Sequence, residues 1–187
     1  MILFLLVFFL FIGVVLNHLF LWKPHNMTSF YDGNNPLWFA HRGASNVAPE
    51  NTISAFNKAV KNGASGLEID VISTLDGVLL CSHNFDLERE TDCGGYIDEL
   101  PYHSIKDANA ALHWNSEKEG LPKLKEVLRI VPKHVRLNIE IKSRSFYDIS
   151  AARDVVELVK GENFINRTII SSFNPFVIWY VKWINSQ

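Results

Sequence analysis

The chain opens on an almost unbroken apolar run, Met1 to Trp22, interrupted only by Gly13, Asn17 and His18. Its length is close to the ~20 residues a helix needs to cross a bilayer. It lacks the basic start and the small-x-small cleavage site of a secretory leader. The expectation is a transmembrane anchor over 1–22 and a single-pass membrane protein, with a polar linker over 23–36 containing Pro, Gly and Asn. The pattern then shortens. Leu37-Trp38-Phe39-Ala40 reads as a buried strand that delivers His41-Arg42-Gly43 into a loop. Pro49 suits a first helical position, and Ile53, Phe56, Ala59 and Val60 recur at helical spacing until Gly63. Two runs rich in branched apolar residues then flank Asp76-Gly77, a strong hairpin signal. A two-residue loop there sets Leu75 opposite Val78 and Asp70 opposite His83. Glu68, Asp70 and His83 then share one face, with Leu67, Ile69, Val71, Val78 and Leu80 on the other.

Residues 84–103 are irregular around Cys93-Gly94-Gly95 and read as a surface loop or small insertion over an active face. Leu121 to Val131 alternates in helical fashion and stops at Pro132. Val135 to Lys142 has a strand's period and sets Glu140 and Lys142 on one face. A helix over about Tyr147 to Lys160 closes at Gly161. Thr168 to Phe173 is the last strand, and Asn174-Pro175 starts an apolar helix with Trp179 and Trp183. Strands alternating with helices give an α/β class. Polar residues fall at strand ends, which is the habit of a TIM-type (β/α)8 barrel. No Gly-rich phosphate loop follows the first strand, as a doubly wound sheet would favour. About five strands are legible against the eight of a closed barrel, so the expectation is a barrel piece, 37–187, from a longer protein or a truncated product.

Composition narrows the function classes. Lys and Arg total 18 against 20 Asp and Glu, a net charge of −2, and no basic stripe points to nucleic acid. Neither Cys81 nor Cys93 sits in a metal-type pair. Asn26-Met27-Thr28 and Asn166-Arg167-Thr168 fit the glycosylation pattern.

The candidate chemistry lies in the strand-end residues. Glu68, Asp70 and Glu140 are hard oxygen donors that suit Mg2+ or Ca2+. His41 and His83 can work as an acid and base pair near neutral pH. Arg42 and Lys142 supply positive charge for phosphate. Together they describe a phosphodiester-cleaving site. Each also has a plainer reading: a wet acidic hairpin face, a satisfied strand-end histidine, a solvated Lys142. Glu50 and Asn51 either start a helix or, for Asn51, anchor the loop bearing His41.

His41-Arg42-Gly43, Pro49-Glu50-Asn51-Thr52, Glu68-x-Asp70-Val71, Asp76-Gly77 running to His83, and Ile139-Glu140-Ile141-Lys142 resemble the successive motifs of the glycerophosphodiester phosphodiesterase family. Leu87, Arg89, Thr91 and Ser172-Phe173 fit the same pattern. The resemblance implies a TIM-type barrel that uses a divalent cation to hydrolyse glycerophosphodiesters to glycerol 3-phosphate and an alcohol. It implies His41 and His83 as acid and base, Arg42 and Lys142 on phosphate, and Glu68, Asp70 and Glu140 on the metal, with His83 a further ligand in some membrane-anchored relatives. Asn84 departs from the usual Asp, and reduced activity is the expectation. Two alternatives accompany this reading: lysophospholipase D-type cleavage of membrane lysolipids, and a catalytically silent, membrane-tethered binding module.

Overall fold

The strand Gly66–Ser73 (β2) is the centre of the sheet, and its alternation decides what lies on each side. In the computed structural model, which describes residues 2–21, 30–31 and 36–185, β2 runs parallel to Phe39–Ala40 (β1) and to Arg136–Ile141 (β4). Thr168–Ser171 (β5) continues the sheet in parallel beyond β4, giving the order β1-β2-β4-β5. The short strand Leu79–Cys81 (β3) is antiparallel to the end of β2. Asp70 C=O accepts from Ser82 N–H and Val71 C=O accepts from Lys142 N–H. Successive carbonyls point to opposite edges, so β3 shares the β1 side of β2.

Leu67, Ile69 and Val71 of β2 turn to one face with Leu137, Ile139 and Ile141 of β4, and all are buried. The helices Ile53–Lys61 (α2), Leu124–Ile130 (α4) and Ser150–Gly161 (α5) cover that face through Phe56, Ala59, Leu124, Val127, Leu128, Ala152, Val155 and Val159. The opposite face of the same strands carries Glu68, Asp70, Asn138 and Glu140. The sheet is thus apolar towards its helices and polar towards what would be a barrel interior, as expected of a strand with a period of two.

The hairpin register differs from the sequence expectation by one residue. Val71 faces Cys81, Ile72 faces Leu80 and Ser73 faces Leu79, so Asp70 lies opposite Ser82 and not His83. The cause is Thr74. Its backbone N–H donates to Val78 C=O at 2.9 Å, and its hydroxyl accepts from Val78 N–H at 2.9 Å and donates to Asp76 at 2.6 Å. Among Leu75, Asp76 and Gly77 only Gly77 has a positive φ, at 82°, whereas a two-residue type I′ loop needs two such residues. The loop therefore has three residues, and a one-residue slip exchanges the faces. Cys81, not Leu80, joins the main core, where burial and then the Asp70 charge push its thiol pKa up. Leu80 turns with Ile72 to the other face.

That exchange explains the segment after β3, which is more than a surface loop. Leu87, Ile97, Ile105, Ala108 and Leu121 pack on Ile72 and Leu80 as a second core. The short helix Tyr102–Ile105 (α3) belongs to it. One further boundary shifts and one is met. Residues 49–52 form a turn, with Thr52 as the N-cap of α2, its hydroxyl accepting from Ala55 N–H. In the last helix, Pro175–Asn185 (α6), the Asn174 side chain accepts from Phe176 N–H at 3.0 Å, as Asn-Pro predicts.

The chain divides into two units, Met1–Asp32 and Gly33–Gln187. In the first, the apolar run forms a 15-residue α-helix, Ile2–Leu16 (α1), with no buried residue, followed by π-helical Asn17–Leu21. Fifteen residues rise ~22 Å, short of the ~30 Å hydrocarbon layer. Among the described residues no helix is long and apolar enough to cross a membrane, which corrects the expectation of a spanning helix over 1–22. The polar Asn17-His18 pair falls where the α-helix gives way. Most of the expected linker, 23–36, and the Asn26 tripeptide lie outside the described residues.

Gly43 sits at φ 80°, and a Cβ there would meet Ala55 at 2.7–2.9 Å. Gly43→Ala is expected to cost about 3 kcal/mol from left-handed backbone and overlap together, read as a lower urea midpoint at unchanged slope.

Candidate functional site at the carboxyl ends of the strands

Asp70 is the centre of the site. It is 1 % exposed and projects from β2 onto the polar face. A buried carboxylate needs partners, and three side chains supply them. Asn51 Nδ2 donates to Asp70 Oδ2 at 3.0 Å, while Asn51 Oδ1 accepts from Asp70 N–H at 3.1 Å. Arg42 Nε lies 3.2 Å from Oδ2, and Lys142 Nζ lies 2.9 Å from Oδ1. Lys142 also donates to Glu140 Oε1 at 2.6 Å, and Arg42 Nη1 to Glu50 Oε1 at 2.9 Å.

Local backbone makes this convergence. Arg42 and Gly43 are both left-handed, at φ 57° and 80°, and turn the chain sharply after the two residues of β1. Asn51, also left-handed at 56°, donates its N–H to Arg42 C=O at 3.0 Å, tying the two loops together. Parallel register sets Asp70 beside Glu140 and Glu68 beside Asn138. His41 remains largely exposed, with Nε2 3.6 Å from Glu68 Oε1.

The donor set fits a hard divalent cation. Glu68, Asp70 and Glu140 each bring an oxygen within 4.8 Å of the others. Asp70 Oδ1 is buried with no hydrogen-bond partner, Lys142 meeting it only as an ion-pair contact. Four carboxylates, including Glu50, face two cations, Arg42 and Lys142, so two formal negative charges remain. Oxygen donors of this kind suit Mg2+ or Ca2+.

His83 joins a neighbouring group and not this one. Its ring nitrogen lies within 4.8 Å of carboxylate oxygens of Glu50 and Glu90. The register slip accounts for the separation. Burial, and next the nearby Glu50 charge, push the Glu90 carboxyl above its ordinary pKa, against hydrogen bonds from Ser82 and Asn84. The two groups remain linked, through Glu50 to Arg42 and through Ser82 N–H to Asp70 C=O at 3.1 Å. A cleft of about 310 Å³ opens beside Glu140 and Lys142, lined also by Phe85, Arg144, Phe146 and Phe173. Arg144 reaches over to Asp98 at 3.0 Å and Glu99 at 2.8 Å, and its guanidinium lies over Tyr96 at 4.3 Å.

A glycerophosphoryl diester phosphodiesterase family model matches residues 41–186. The chain belongs to that family. A glycerophosphodiester phosphodiesterase of Caldanaerobacter subterraneus subsp. tengcongensis is 37 % identical over 149 residues, covering 78 % of this chain and 61 % of the relative. Glycerophosphodiester phosphodiesterase 1 of Bos taurus is 32 % identical over 148 residues, covering 76 % and 44 %. The chain therefore spans about half the length of the curated relatives it matches. Among solved structures, a glycerophosphodiester phosphodiesterase of Agrobacterium tumefaciens superposes with a TM-score of 0.74 at 26 % identity, over 82 % of this chain and 64 % of that one. A phosphodiesterase of Oleispira antarctica, in complex with the product sn-glycerol-3-phosphate, gives 0.74 at 28 %, over 81 % and 63 %. The fold of this family member is thus TIM-barrel-like, with a parallel sheet.

Among the residues expected in the site, His41, Arg42, Glu50, Asn51, Glu68, Asp70, Glu140 and Lys142 form one connected cluster, and His83 lies alongside it. Three polar contributors were missed. Asn138, which accepts from Ser171 Oγ at 2.9 Å, shares the period-two face of Glu140 and was readable. Ser82 needed the correct register. Glu90 lies in irregular chain and carried no periodic signal.

Asn51→Ala is expected to lose about 3 kcal/mol in thermal unfolding, because it removes hydrogen bonds to a buried charge. Asn51→Gly, which suits φ 56°, is expected to lose about 1 kcal/mol less. Equal losses would make the side chain's bonds to Asp70 the sole term.

Proposed function

We propose that this chain performs metal-dependent hydrolysis of glycerophosphodiesters to glycerol 3-phosphate and an alcohol. The observation that carries the reading is the convergence of Glu68, Asp70 and Glu140 with Arg42, Lys142 and His41 at strand ends, in a member of this family. Glu68, Asp70 and Glu140 would hold Mg2+ or Ca2+, which would supply positive charge to phosphate oxygens and to the attacking water.

The remaining roles fall to the chain's own groups. Arg42 offers a planar fork to two phosphate oxygens, and its pairing with Glu50 and Asp70 fixes the direction of that fork. Lys142, between Asp70 and Glu140, keeps the two carboxylates together and adds positive charge at the same rim. His41 and His83 act as the acid and base pair: one takes a proton from the attacking water and the other gives a proton to the leaving alcohol oxygen as its bond to phosphorus breaks. The exposure of His41 suits exchange of its proton with solvent between turnovers.

Turnover of glycerophosphocholine by the full chain, read as released glycerol 3-phosphate, tests this. His41→Ala is expected to lower kcat by about a hundredfold or more with unchanged circular dichroism. A chelator is expected to abolish release, and Mg2+ or Ca2+ to restore it. Wild-type turnover by His41→Ala would overturn the assignment, and no turnover by the wild-type chain would favour the silent binding module.

A second reading, cleavage of lysophospholipids on the headgroup side, is favoured by the exposed rings of Phe146 and Phe173 at the cleft. Faster turnover of a lysolipid than of the water-soluble diester would select it. Association with a membrane belongs to the same proposal, supported by the fifteen residues of α1, none of them buried. The full chain is expected to float with phosphatidylcholine vesicles in a density gradient, and a chain lacking residues 2–16 to stay in the load.

A further inference from the structure

We propose that Glu90 is the positioning residue for the His83 imidazole. The inference rests on the functional reading above, and Asn84 is part of the same device.

The Glu90 carboxylate grips both neighbours of His83. Ser82 Oγ lies 3.1 Å from Glu90 Oε2 and 3.0 Å from Asn84 C=O, with one proton to share between them. Asn84 Nδ2 donates to Glu90 Oε1. The residue between these two contacts is His83, whose ring nitrogen lies within 4.8 Å of the same carboxylate. Ser82 N–H is meanwhile fixed on Asp70 C=O. The position of His83 is thereby referenced to the buried carboxylate of the neighbouring group.

Glu90 itself sits on a fixed mount. Leu87, three residues earlier, is buried in the second core, and the next residue, Thr91, is buried and donates its hydroxyl to Leu87 C=O at 2.8 Å. Leu87 N–H donates to Gly95 C=O at 2.9 Å. A carboxylate on such a turn holds its partners with little freedom of its own.

The amide of Asn84 has a defined sense. Its Oδ1 accepts from Arg89 Nη1 at 3.3 Å, which leaves Nδ2 for Glu90. A carboxylate at position 84 would set oxygen against oxygen. The residue that departs from the resembling pattern is therefore matched to Glu90, and changing it alone to Asp should impair the site.

The test uses three variants of the full chain. Glu90→Leu removes both acceptor oxygens at similar volume, and Asn84→Asp turns a carboxylate towards Glu90. Each is expected to lower kcat by about tenfold to a hundredfold through a misplaced imidazole, with KM within about twofold and an unchanged melting midpoint. The double variant Asn84→Asp/Glu90→Gln restores one donor and one acceptor with their senses exchanged, and its kcat should return to within a few-fold of wild type. Wild-type kcat in Glu90→Leu, or a double variant that recovers nothing of the loss in Asn84→Asp, would overturn the proposal.

If the wild-type chain turns over no diester, the reading of function fails and the positioning claim is decided separately. The His83 ring resonances, assigned by comparison with His83→Gln, should shift or broaden in each single variant and recover in the double. Unmoved His83 resonances in both singles would overturn the proposal.

Discussion

A carboxylate removed from water governs this molecule. Asp70 stands at the meeting of β2, β4 and the loops after β1, and each of these elements supplies part of its neutralisation. Burying an ionised group without partners costs several kcal/mol even after relaxation. The left-handed Arg42 and Asn51, sparsely populated conformations for such residues, are tolerated because their side chains meet that need. The same pairs that offset the cost of burial leave Arg42 and Lys142 pointing at one rim, so stability and chemistry draw on the same contacts.

The second determinant is a threonine hydroxyl in a turn. By adding a residue to the loop, Thr74 rotates β3 by one place and parts His83 from Asp70. His83 is then connected to the Asp70 group only indirectly, through Ser82 and Glu50. The gain is that Leu80 joins Ile72 on the polar side, where they anchor the segment after β3 as a roof with its own core. A two-residue loop would have turned Leu80 away and left Ile72 without it.

Much of this was readable in the chain. The strands, their parallel sense and the alternation of Glu68 and Asp70 against Leu67, Ile69 and Val71 follow from period two, and the helix stops at Gly63 and Pro132 from backbone chemistry. Asp-Gly misled because it marks a turn without stating its length, and only the hydroxyl of Thr74 settles the register. Pro49 misled for a related reason: Thr52 is the better cap, so the residues before it form a turn. The apolar run at the start was read by length, whereas its helix ends where Asn17 begins a different hydrogen-bonding pattern. Glu90 was invisible because its partners are fixed by tertiary contacts alone.

The three residues of β3 face two ways, Leu79 and Cys81 into the main core and Leu80 into the roof. Such a strand belongs to two cooperative units at once. Local opening of the roof, the smaller cluster, would release one side of β3 while the sheet stayed folded. Amide protection in 87–108 would then report on the freedom of the chain around His83 more directly than global stability does, and on warming it would fall before melting.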